Sequence, residues 1–169
     1  MEVDVEEECL KVLALHQPVA TDLRFIVSIL KINNDLERIG DLAVNIAERA
    51  EFVSRELQIT VPFDLRRMSL LAQSMVKRSL DALIERDAGL AYEVCASDEE
   101  VDAINRDIYP EAGSLFRASP EQVEVLMHYF TAARQLERIS DHATNIAEDV
   151  IYMLNGEIVR HQAPKHEPR

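Results

Sequence analysis

Carboxylate side chains recur in this chain with a spacing suited to holding a cation. The segments LERIGDLAVNIAE and LERISDHATNIAE start one hundred positions apart and agree at ten of thirteen positions. Each contains an E-x-x-x-D pair, Glu37 with Asp41 and Glu137 with Asp141, and residues four apart share one face of a helix. Two such carboxylates repel each other, and an adjacent cation would reverse that penalty. The pattern indicates either a metal-binding face or a solvated acidic face.

A complete metal site would need ligands from a second helix. Asp98 and Asp102 have the same spacing of four on the preceding helix of the second copy, and Asp4 is what remains of the equivalent pair in the first. Hard cations prefer oxygen ligands, which these side chains supply. The residues are therefore compatible with a site for a divalent or trivalent ion of unspecified identity, and equally with a solvated acidic face.

The composition favours helices and excludes several classes of protein. Of 169 residues, 47% are hydrophobic, only four are Gly and six are Pro, and there is no Trp. The formal net charge of −13 argues against binding to a phosphate backbone, so nucleic acid is not an expected partner. No apolar run reaches the roughly 20 residues that cross a bilayer. We expect an all-α, soluble, cytoplasmic protein in which Cys9 and Cys95 are free thiols.

Local signals predict where the helices begin and end. Asp64 is expected to cap a helix, and Ser119 with Pro120 and Gln122 has the form of a capping box. Asn155-Gly156 is a helix stop. The predicted helices span residues 2–15, 18–57, 64–86, 89 to a kink or stop at 110, and 120–154. The polar residues 160–169 are expected to be disordered.

The duplication predicts two copies of one helical unit, of unequal length. We place a truncated first repeat at 1–58, a three-helix second repeat at 59–156 and a polar tail at 157–169. The first repeat has barely two helices. A fragment, an alternative start and completion by another molecule all remain open explanations.

On a helical projection the carboxylates oppose an apolar seam. At about 100° per residue, Glu37, Asp41 and their neighbours fall on one side. Gly40, like Ser140 in the second copy, lies near the edge of the seam, where it either lets a helix approach closely or is simply tolerated. The seam itself contains Leu36, Ile39, Ala43, Ile46 and Ala47.

The runs HQPVATDLRFIVSILKINNDLERIGDLAVNIAERA and ARQLERISDHATNIAEDVIYML resemble the two signature helices of the PhoU family. The resemblance covers nearly the whole chain to about Gly156. It implies two tandem three-helix bundles of spectrin-like helices, the first lacking its N-terminal helix. It also implies that the E/D-x-x-x-D motifs bind iron, zinc, manganese or magnesium. By position, the metal ligands are Glu37, Asp41, Asp98, Asp102, Glu137 and Asp141.

The resemblance further implies a function without catalysis. PhoU proteins couple the phosphate ABC transporter to a sensor histidine kinase, so the expected partners are the transporter ATPase and that kinase. The expected role is negative regulation of phosphate uptake and of phosphate-starvation signalling. An exposed apolar face on Leu23, Ile26 and Ile29 would favour a homodimer.

Two alternatives belong to other functional classes. A di-iron carboxylate oxidase is also a helical bundle, but it uses Glu-x-x-His, and no histidine here has a Glu three residues before it. His142 adjoins Asp141, but Leu42 replaces it in the first copy, which favours a surface residue over a ligand. The other alternative is a metal-binding helical scaffold without a signalling role.

Overall fold

The computed structural model describes residues 2–56, 59–60 and 63–159, and within these ranges the chain is helical and has no strand. Predicting an all-α fold was therefore right. The elements in chain order are α1 (Glu2–His16), α2 (Ala20–Arg55), α3 (Leu65–Glu85), α4 (Ala88–Ala118), a 3₁₀ turn (Pro120–Gln122) and α5 (Val123–Asn155).

Capping hydrogen bonds from side chains, and a glycine in the left-handed backbone conformation, define several helix ends. The Asp64 carboxylate accepts a hydrogen bond from the Arg67 N–H at 3.0 Å, as predicted, and Asp87 does the same for Leu90 at the start of α4. Gly156 ends α5 with φ of 74°, a conformation that glycine adopts without steric cost. These ends are set by residues close in sequence, which is why local signals predicted them.

Two predicted boundaries differ from the structure: the helix does not stop at Pro110, where the alternative of a kink stays a prediction, and no capping box forms at Ser119. Helix α4 continues through Pro110 to Ala118. Ile108 and Ala112, which flank the proline, are each 2% exposed, and this packing offsets the backbone hydrogen bond that proline cannot make. The capping box at Ser119 does not form: a 3₁₀ turn intervenes, and α5 starts at Val123 without a side-chain cap.

The helices form a three-helix unit with a helical pair attached. Helices α3, α4 and α5 pack against one another, α2 packs along α5, and α1 contacts only α2 among the described elements. Helices α2 and α5 are antiparallel, since Lys31 meets Asp149 at one end and Phe52 stacks on His128 at the other. The boundaries placed after residues 58 and 156 stay predictions, and residues 160–169 lie outside the described part of the chain.

The apolar seam is buried in one copy of the motif and largely open in the other. In α5, Ala143, Ile146 and Ala147 are fully buried. In α2, Leu36, Ala43 and Ala47 are exposed, so the seam predicted for the first copy was wrong at these positions. The physical reason is the number of neighbours: α5 packs against three helices, whereas α2 meets only α1 and α5. Helix α2 instead buries Ser28, Ile32, Asp35 and Leu42.

Candidate metal site between two helices

Three aspartates of the second repeat converge between α4 and α5. Asp98 and Asp102 lie one turn apart on α4, and Asp141 comes from α5. One carboxylate oxygen from each lies within 4.8 Å of the others. Asp98 and Asp102 are partly buried, whereas Asp141 is exposed. The structure thus brings together three of the six predicted ligands on two helices.

The environment of Asp98 disfavours its charged form. Burial raises the pKa of its carboxyl to about 6, and the charges of Asp102 and Asp141 contribute further. Its Oδ1 atom is buried and has no hydrogen-bond partner among the described residues. An oxygen in that position is stabilised by a proton or by a cation.

The pKa values of the two predicted ligands on α5, Glu137 and Asp141, are shifted in the same direction. Burial raises the pKa of Glu137, and Asp141 and Asp102 add to the effect, while Arg134 and Arg138 oppose it. Burial also raises the pKa of Asp141, with Asp102 the next cause. The carboxylates therefore share an excess of negative charge that the neighbouring arginines do not cancel. Glu137 adjoins the three-aspartate cluster electrostatically without being part of it.

The first copy of the motif is arranged differently. Asp41 is 60% exposed and lies 4.0 Å from Arg38 on its own helix. Neither it nor Glu37 joins a cluster of three metal-ligating side chains within the described ranges, and Asp4 on α1 is exposed. The assignment of Glu37 and Asp41 as metal ligands stays a prediction.

A cavity of about 530 Å³ lies beside the aspartate cluster and is lined by residues of α2, α4 and α5. Lys31 of α2 lines the cavity and donates a hydrogen bond to Asp149 Oδ1 at 3.0 Å. The described residues that line it are Lys31, Asn34, Asp35, Asp98, Asp141, Thr144, Asn145, Glu148 and Asp149. Both repeats therefore contribute to one acidic cavity.

Polar contacts between α2 and α5 were missed by the sequence analysis. His142 Nδ1 lies 2.7 Å from Asp35 Oδ1, and Asn145 donates a longer hydrogen bond, 3.5 Å, to the same oxygen. His142 was predicted to be a surface residue, but its side chain is 19% exposed and faces Asp35. A signal in the sequence was Asp35 itself, which lies on the same face as Ile32 and Leu42 and carries a charge among apolar residues.

The donor set suits a hard cation. Three carboxylates within reach of one ion, one of them with an unpartnered buried oxygen, match the oxygen ligands of such metals. Cys95 also lies nearby, but burial and the charges of Glu148 and Asp98 raise its pKa to about 12. A thiol that remains protonated is a poor ligand, so soft thiolate coordination is disfavoured.

Comparison with known proteins identifies the family. Residues 1–50 and 65–150 match the PhoU domain. The chain belongs to the PhoU family. It is 41% identical to a phosphate-specific transport system accessory protein PhoU homolog from Pseudomonas aeruginosa, over 95% of this chain and 67% of that protein. A homolog of the same name from Aquifex aeolicus is also 41% identical, over 99% of this chain and 76% of the relative.

Solved PhoU structures share the fold. The crystal structure of PhoU from Pseudomonas aeruginosa matches with a TM-score of 0.88 at 39% identity, covering 92% of this chain and 75% of that one. The phosphate transport system regulatory protein PhoU from Streptococcus pneumoniae matches with a TM-score of 0.82 at 31% identity, covering 94% and 74%. The resemblance seen in the signature helices and the helical-bundle prediction are confirmed. No helix in the described part of this PhoU-family chain is long and apolar enough to cross a membrane.

Proposed function

We propose that this chain is a cytoplasmic accessory regulator of phosphate transport that represses phosphate uptake and the phosphate-starvation response. The observation that carries the proposal is the 41% identity, over 95% of the chain, to a phosphate-specific transport system accessory protein. The similar protein from Streptococcus pneumoniae is named as a phosphate transport system regulatory protein, which supports the same role. In this proposal the chain acts by binding, not by catalysis.

The proposed partners are the ATPase of the phosphate ABC transporter and a sensor histidine kinase. A chain with a net charge of −13 is attracted to basic protein surfaces, and such complementarity raises association rates and selects partners. A homodimer is part of the same proposal. Of the face predicted to be exposed, Ile26 and Ile29 are partly buried, but α2 leaves Leu23, Leu36 and Val44 at least 37% exposed.

We propose that Asp98, Asp102 and Asp141 hold a divalent or trivalent cation, with Glu137 close by. The ion would supply positive charge at a point where three carboxylates meet. The residues would then connect α4 to α5, because two ligands come from one helix and the third from the other. Glu37 and Asp41 would hold a second ion only together with further metal-ligating groups, which are not those of the Asp98, Asp102 and Asp141 cluster.

One set of variants tests the metal site and the regulatory role together. The Asp98→Asn/Asp102→Asn double variant removes two ligand charges while keeping side-chain shape. Asp107→Asn, an exposed residue on the same helix, is the matched control. Purified without added metal or chelator, the wild type and the control should carry about one bound ion, and the double variant should carry almost none. Elemental mass spectrometry gives the content directly.

The same variants are then expressed in a bacterium that lacks its own PhoU-family protein. With abundant phosphate, the wild type should repress a phosphate-starvation reporter severalfold, and the control should match it. Weaker repression by the double variant would link the ion to regulation. A wild type that binds metal without repressing would instead favour the scaffold alternative, and equal metal content in all variants would reject the site.

A further inference from the structure

Lys31 is the positively charged residue of α2 that lines the acidic cavity among the described residues. Its ammonium group donates to Asp149, whose side chain is only 2% exposed, while the lysine side chain itself is 40% exposed. The ammonium also lies 5.5 Å from the centre of the Tyr152 ring, a distance that allows a cation–π contact. Lys31 is therefore held at the cavity wall by two contacts to α5.

The charges that line the cavity are strongly unbalanced. Among the described lining residues, Lys31 alone is positively charged at neutral pH, and five are carboxylates. Asp98 and Asp141 belong both to this lining and to the three-aspartate cluster. Because Lys31 and two of the three proposed ligands line one cavity, the charge on Lys31 contributes to the electrostatic potential that an ion meets as it enters the cavity.

We infer that Lys31 of α2 is a tethered cation that sets the affinity of the aspartate cluster between α4 and α5 for metal ions. It lowers that affinity by repelling the incoming ion. As a result, the occupancy of the site responds to changes in metal concentration. Since Lys31 lies in the first repeat and the ligands lie in the second, the packing of the two repeats controls the metal site. The inference rests on the proposed metal function.

The test is a double-mutant cycle in the full chain that removes the charges of Lys31 and Asp149, with Mn²⁺ as the probe. Lys31→Met removes a positive charge and should strengthen Mn²⁺ binding about three- to tenfold. Asp149→Asn leaves the ammonium without its carboxylate and should weaken binding by a similar factor. The double variant Lys31→Met/Asp149→Asn restores the balance and should bind within about twofold of the wild type. Titration calorimetry at one fixed pH measures the Mn²⁺ affinity of each protein.

The controls separate electrostatic tuning from structural damage. Lys77→Met removes an exposed lysine that pairs with Asp81 at 2.5 Å on α3, away from the cavity, and should leave Mn²⁺ affinity unchanged. Equal or weaker binding by Lys31→Met would overturn the inference, as would weakening in all three cycle variants. Absence of Mn²⁺ binding by the wild type would reject the proposed metal site and the inference with it.

Discussion

At the residue scale, Asp98 links the chemistry of the site to the stability of the protein. Its pKa is about 6 in the folded chain, against 3.8 for an ordinary aspartate. Between these values the folded state binds more protons than the unfolded state, so this group lowers stability as the pH rises from about 4 to 6. Above pH 6 the full penalty remains until a cation neutralises the carboxylate.

We therefore expect Asp98→Asn to stabilise the metal-free protein at pH 7.5 by about 1 to 2 kcal/mol, after allowance for solvent screening. The gain should shrink as the pH falls from 6 to 4 and approach zero below pH 4, where the wild-type carboxyl becomes protonated in both states. Urea unfolding in the presence of a chelator, repeated from pH 4 to 7.5, measures the difference. The exposed Asp107→Asn should show no such pH-dependent gain, and a gain that is constant with pH would contradict the assignment.

Part of the site could be predicted from residue types and spacing alone. The placement of Asp98 and Asp102 one turn apart on the same face of α4 follows from helix periodicity, whereas the approach of Asp141 depends on how α4 packs against α5. Lys31 and His142 could not be found in this way, because their contacts depend on how α2 lies along α5. The register between two long helices is a tertiary property that a local pattern does not contain.

At the scale of the helices, two glycines have opposite roles. Gly40 lies within α2, and a Cβ atom there would meet no described atom within 4 Å. Of its two interpretations, this favours the tolerated residue over the close approach of another helix. Gly156 ends α5 with positive φ, and a Cβ atom there would lie 3.5 Å from the Arg24 guanidinium carbon. The first glycine weakens a helix, whereas the second is required by the backbone.

Gly40→Ala is expected to stabilise the chain by about 0.5 to 1 kcal/mol, since alanine loses less entropy in a helix. Gly156→Ala should destabilise it by about 1 kcal/mol, because alanine must adopt a left-handed conformation. Chemical denaturation of the two variants beside the wild type measures both changes. Loss of stability in Gly40→Ala would mean that a neighbouring helix packs against this position after all.

The helix boundaries show where local signals suffice. Asp64 and Gly156 were predicted because a cap is made by residues that are neighbours in sequence. The stop predicted at Pro110 was wrong because burial of Ile108 and Ala112 carries α4 past the proline. Where tertiary packing and a local breaker compete, the packing decides the length of the helix.

At the scale of the whole molecule, the core is concentrated in the second repeat. Among the described residues, α1 and α2 contribute only Cys9, Ile32 and Leu42 to the buried apolar set, and the other members come from Phe63, α3, α4 and α5. The two copies of the motif are alike in sequence but unlike in burial. Sequence similarity between the two copies does not predict which of them has a packed seam, because that depends on how many helices surround each copy.

This distribution predicts that residues 63–159 fold on their own. The fragment contains α3, α4 and α5 with nearly all the buried apolar side chains, so it should unfold cooperatively and be monomeric. Residues 2–56 form only a helical pair and should be largely unfolded alone, since isolated helices are marginal in water.

The full chain should be a dimer, because exposed apolar residues of α2 such as Leu23 and Val44 are then covered. Circular dichroism and light scattering on the three proteins measure these outcomes. A fragment 63–159 without a cooperative transition would show that α2 is part of the folding unit, and a monomeric full chain would remove the dimer from the proposed function.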